Sequence, residues 1–164
     1  MRAFIFSILF CFICISSFSQ DYSELNNVEI TTKEQCRSYD SKAQECANYI
    51  LNNPVKDNIN VLYASSFLLK WMSSTPDYNF DLGSWNTKLS NKKDYLLGVY
   101  CAGLAKFCME NKDKATDNNA VKLGAYTLLA EYCSKEGNIE NPTKEMKKFL
   151  EAYKNNSLKE YLKL

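Results

Sequence analysis

The sequence predicts an all-α protein, and three observations carry that prediction. Apolar residues recur every three or four positions through most of the chain, which places them on one side of a helix. Helix punctuation falls between these stretches: Asn52-Asn53-Pro54, Thr75-Pro76 and Asn141-Pro142. No stretch alternates apolar and polar residues as a half-buried strand does. The simplest architecture is two antiparallel helical hairpins plus a C-terminal helix, arranged as a bundle or a short array.

Residues 20–30 read as a short leader without a clear period, followed by a single helical domain over 31–164. The first helix, over about 32–52, opens on a capping box in which Thr31 is the N-cap and Glu34 reaches back. Cys36, Tyr39, Ala43, Cys46, Ala47 and Ile50 give it one apolar stripe. A second helix, about 58–74 and capped by Asp57, carries apolar residues around most of its circumference. Lys70 is its one charge between Ile59 and Met72, so a central, largely buried position is expected. The connection from Thr75 to Ser90 is long for a helical protein, and such loops carry a task or structure of their own.

A third helix is expected from Asn91 to about Asn111; no charged residue lies between Tyr95 and Ala105, which makes it the second central helix. The fourth, about 119–135, buries Val121, Ala125, Leu128, Leu129, Tyr132 and Cys133 and closes on Gly137. Asn141-Pro142 opens a fifth with proline at its first position, and a short last piece from Ser157 carries Leu158, Tyr161 and Leu162. Gly103 and Gly124 come almost level if the third and fourth helices fold back on each other. Glycine costs a helix interior about 1 kcal/mol relative to alanine, so the pair marks a close helix crossing.

The N-terminus has the layout of a secretory signal peptide: Met1 and Arg2, the apolar run Ala3 to Ile15, then small residues before a cut after Ser19. The run is too short to span a bilayer comfortably, and no later stretch is long enough, so no transmembrane anchor is expected in the mature chain. That cut leaves 145 of the 164 residues, with nineteen basic and nineteen acidic side chains, hence zero formal charge. A neutral chain lacks the footprint of a nucleic-acid binder.

Histidine is absent, which removes Ser-His-Asp and Cys-His catalysis and every imidazole-dependent zinc site. Neither Cys11 nor Cys14 follows a small residue, so neither marks a lipoprotein cut. Cys36, Cys46, Cys101, Cys108 and Cys133 remain, an odd number on apolar faces. Cys101 and Cys108 lie about 10 Å apart along one helix, beyond the reach of a disulfide. Buried thiols are the leading expectation, with Cys101–Cys133 the one bridge worth considering. There is no C-x-x-C pair to hold zinc.

Trp71, Tyr78, Phe80 and Trp85 fall among Asp77, Asn79, Asp81 and Asn86. Flat apolar rings beside polar tips suit a glycan- or peptide-binding surface. The competing expectation, and the stronger one, has these rings turned inward to pin the long connection, because exposed clusters of that size are unusual. Nothing in the spacing of Asp77, Asp81, Glu131 and Glu136 selects a catalytic pair. The lysine-rich C-terminal end is interleaved with Glu145, Glu151 and Glu160 and reads as a solvated face. Asn155-Asn156-Ser157 fits a glycosylation sequon, relevant only in a eukaryotic secretory host.

The run Ala64 to Phe80 (ASSFLLKWMSSTPDYNF) and the stretch Tyr100 to Lys114 resemble a group of small secreted helical proteins from Gram-negative bacteria without an assigned activity. Trp71 with Thr75-Pro76-Asp77 is the most recognisable part. The resemblance implies export to the periplasm or beyond and an all-helical fold, and transfers no site residues. In architecture alone the hairpins are similar to tetratricopeptide repeats, but they start about 59 residues apart where that repeat has 34. The expected function is therefore a non-catalytic secreted or periplasmic domain working through contacts with a protein partner, without a cofactor. The alternative is a small-ligand or glycan-binding module built on Trp71, Tyr78, Phe80 and Trp85.

Overall fold

The computed structural model describes residues 21–83, 85–90 and 95–164, and among these every regular element is helical. Where one helix was expected over 32–52, there are two, α1 (Lys33–Ser38) and α2 (Asp40–Asn52). The chain bends at Tyr39, and tertiary contacts fill the break. The Tyr39 ring meets Phe67 edge-on at 5.5 Å, and the indole N–H of Trp71 donates to the Asp40 carboxylate at 3.0 Å. The cap also sits one residue later than expected. Thr32 Oγ1 accepts from the Gln35 N–H, and the Gln35 side chain accepts from the Thr31 N–H. Thr32 and Gln35 thus replace Thr31 and Glu34.

The same small displacement recurs at other helix starts. α3 (Ile59–Ser74) is capped by Asn58, which accepts from the Val61 N–H. Asp57 instead takes a left-handed conformation, φ 56°. The long connection contains a short helix, α4 (Thr87–Ser90). α5 spans Tyr95–Glu110, and its expected start at Asn91 lies outside the described residues. α6 (Asn118–Ser134) is capped by Asp117, and Gly137, at φ 84°, belongs to the turn beyond it rather than to its end. α7 (Lys144–Lys154) is capped by Thr143, so Pro142 precedes the cap instead of opening the helix. α8 (Leu158–Leu162) closes the chain.

The core gathers on α2 and α5. α2 runs antiparallel to α3, with Asp40 near Trp71, and antiparallel to α5, with the Lys106 ammonium donating to Asn48. α5 then folds back on α6, and the two glycines explain how closely. A Cβ on Gly103 would stand 3.0 Å from the Ala125 carbonyl oxygen, and one on Gly124 would fall inside the Phe107 ring. The expected close crossing is present. Gly103 admits backbone, and Gly124 admits an aromatic ring.

The leader belongs to this core as well. Tyr22 is 2% exposed and Leu25 4%, on either side of the start of a 3₁₀ turn over Ser23–Asn27. The Tyr22 N–H donates to Asn60 and its hydroxyl to Glu45. Lys70, the lone charge of α3, donates to the carbonyls of Asn26 and Val28. α3 thus spends its charged side chain on holding the leader down.

Two glycine substitutions should separate crossing from propensity. Gly103→Leu meets backbone that cannot rotate away and should cost about 1–3 kcal/mol. Gly98→Ala, whose Cβ would meet only Ser65 Oγ at 3.9 Å, should gain about 0.5–1 kcal/mol from helix propensity. Urea denaturation of both variants checks the pair.

Candidate functional site

The structure divides the four aromatic candidates between two clusters. Trp71, Tyr78 and Phe80 form one, with ring centroids 6.0–6.2 Å apart. Trp71 is 0% exposed, while Tyr78 and Phe80 are half-buried over it. Trp85 lies in another cluster, 5.2 Å from Tyr100 and stacked at 6.4 Å and 9° on Tyr126. The Tyr126 hydroxyl accepts from the Asn86 N–H at 2.8 Å, tying the connection to α6. Phe149 and Tyr161 continue this row of rings. The aromatic connection is therefore strapped across the bundle at two separate points, Tyr78 and Phe80 over the buried Trp71 of α3, and Trp85 against Tyr100 and Tyr126.

The most open apolar surface lies elsewhere. Ile59 (56% exposed), Leu62 (61%), Leu69 (44%), Leu82 (44%) and Leu97 (37%) are the large apolar side chains that stand most exposed among the described residues. All five line one groove of about 1000 Å³ between α3 and α5. Its floor is made of small residues where the helices meet, Ser65, Gly98 and Cys101. Val55, Asp57 and Asn58 border it at the start of α3, and Leu82 reaches in from the connection. Soluble monomers seldom leave apolar surface so concentrated.

This groove corrects the expectation that α3 is largely buried. Val61, Ala64, Phe67, Leu68 and Trp71 do enter the core, but Ile59, Leu62 and Leu69 occupy the side that no described element covers. The signal was present in the sequence. A helix apolar all round needs neighbours all round, and a chain of this length has few to spare.

The groove can exclude water from an apolar occupant but offers little else. Its walls are helices whose backbone groups are already paired, and Asn58 is engaged as a cap. An extended peptide or a sugar would find few hydrogen-bond partners. The apolar face of a helix needs none.

The remaining candidates are structural in geometry. Arg37 grips the Asp77 carboxylate through two bonds of 2.8 Å and holds its pKa below the usual carboxylate range. Asp81 accepts from the Gly83 N–H. Among the described residues, no group of three or more Cys, Asp or Glu is placed to hold a metal ion. Cys36, Cys46, Cys101, Cys108 and Cys133 are all buried thiols, and no bridge joins Cys101 to Cys133. Burial pushes Cys46 up to about 12 and Cys101 and Cys108 up to about 11.

No family model, no curated protein and no solved structure matches the chain. The site therefore rests on its own geometry.

Burial gives the pH dependence a definite sign. Cys46, Cys101, Cys108 and Tyr132, the last raised to about 12, are all held neutral by the fold. Their contribution is complete below their unfolded pKa values and is lost as pH rises through the folded ones. Stability should therefore fall between about pH 9 and 12, as thermal melts across that window would show. At pH 8 the five thiols of the chain from Gln20 should resist an aqueous disulfide reagent until denaturant is added, because the thiolate is the reacting form.

Proposed function

We propose that this chain is a non-catalytic, exported helical domain that works by receiving the apolar face of a partner helix in the α3–α5 groove. The observation that carries this reading is the convergence of Ile59, Leu62, Leu69, Leu82 and Leu97 on one surface. Helix-in-groove recognition uses such a surface, with anchors at i, i+3 or i+4, and i+7. From Ile59 to Leu69 the wall runs about 15 Å by helix rise, room for nearly three turns. Export is supported by the signal-peptide layout of residues 1–19. The glycan-binding alternative has weaker support, since Trp71 has no exposed face.

A labelled amphipathic helical peptide with leucines at i, i+3, i+7 and i+10 tests the reading by fluorescence anisotropy. Binding should occur and fall at least tenfold in Leu62→Glu and Leu69→Glu, because each buries an unpaired charge in the complex. Both side chains are exposed, so the helical circular dichroism of the variants should be unchanged. Absence of binding, or equal binding to wild type and both variants, would refute it.

A further inference from the structure

We infer that the helix received by this groove is α3 of a second copy, packed antiparallel about a two-fold axis; this rests on the groove reading just given. Along α3, Ile59, Leu62, Ser66 and Leu69 follow one another at intervals of three, four and three residues; the three large ones line the groove, and Ser66 stands half-buried between Leu62 and Leu69. Those intervals are the a/d spacing of a helix-pairing seam. Reversed against itself about its midpoint, the seam sets Ile59 beside Leu69 of the second copy and Leu62 beside Ser66 of the second copy. Each large side chain of the central layer then meets a small one. Ser65, Gly98 and Cys101 deepen the floor at the same level, so Leu62 of each copy is offered a hole rather than a clash. A two-fold interface of this kind is self-complementary.

Charge selects the direction. Asp57 stands two residues before Ile59 and lines the groove; Lys70 stands one residue after Leu69. Among the described residues, the Asp57 carboxylate accepts no hydrogen bond, and the charge beside it is Lys56, which is itself paired with Glu140 at 2.9 Å. Among the described residues, the Lys70 ammonium is held by two carbonyls, which do not neutralise its charge. An antiparallel second copy brings Lys70 of each chain to the Asp57 end of the other. A parallel one would set Asp57 against Asp57. The chain from Gln20 carries equal numbers of acidic and basic groups, so no net repulsion opposes association.

Light scattering on the chain from Gln20, from about 10 μM to 1 mM, tests the inference. The expected result is twice the single-chain mass at the upper end, falling to the single-chain mass on dilution. Leu62→Glu should give the single-chain mass throughout, with its melting temperature in the dilute state unchanged. Asp57→Lys and Lys70→Glu should each weaken association about two- to fivefold, the scale of a partly exposed ion pair, and the double variant should restore it. A single-chain mass at 1 mM overturns the inference, as does a dimer indifferent to Leu62→Glu or charge variants that fail to compensate. If the chain stays single at 1 mM while the helical peptide still binds, the groove reading stands and its partner is another protein. If neither association occurs, both fail.

Discussion

A helix that is apolar around most of its circumference needs a neighbour on nearly every side, and this fold supplies that to the middle of α5 but not to α3. α5 has α2, α3 and α6 against it, and the residues from Val99 to Ala105 are all buried. α3 receives α2, α5 and the leader, and one stripe stays open. The leader's docking follows from the same shortage. Tyr22 and Leu25 cover part of α3 that no described α-helix reaches, and Lys70 fastens the leader there through the carbonyls of Asn26 and Val28. Among the described residues, what remains uncovered is the groove.

The closeness of α5 to α6 sets how much covering material is left over. Glycine at 103 lets a backbone carbonyl come within van der Waals range of where a side chain would be, and glycine at 124 lets the Phe107 ring settle onto α6. Those two helices consume their shared faces completely. The aromatic connection covers the other end of the bundle, through Tyr78 and Phe80 over Trp71 and through Trp85 between Tyr100 and Tyr126. Its rings pack onto the core, and Leu82 reaches toward the groove.

Much of the fold was legible in the sequence because helical periodicity is a local property. The all-helical class, the tight crossing at Gly103 and Gly124, and the inward turn of the aromatic connection can each be read from residue spacing and composition. Helix ends were legible to within one or two residues: the caps fall on Thr32 and Asn58 rather than Thr31 and Asp57, Pro142 precedes the cap Thr143 instead of opening its helix, and Gly137 lies two residues past the C-cap Lys135. Asx and hydroxyl caps compete at adjacent positions, and backbone conformation decides between them. The break at Tyr39 was not legible, since it depends on Phe67 and Trp71 from another helix. The groove was missed for a related reason. Sequence shows that α3 is apolar on all sides, but only the count of neighbours in three dimensions shows which side is left bare.

That bare side should be solvent-exposed in the single chain and covered on association. Methyl NMR with a soluble paramagnetic agent measures this directly, using the buried methyls of Leu68, Leu96 and Leu104 as internal references. In dilute solution the methyls of Ile59, Leu62, Leu69, Leu82 and Leu97 should be strongly attenuated, and those of Ile59, Leu62 and Leu69 should become protected as concentration rises. Protection of these methyls equal to that of the reference leucines in dilute solution would contradict the account.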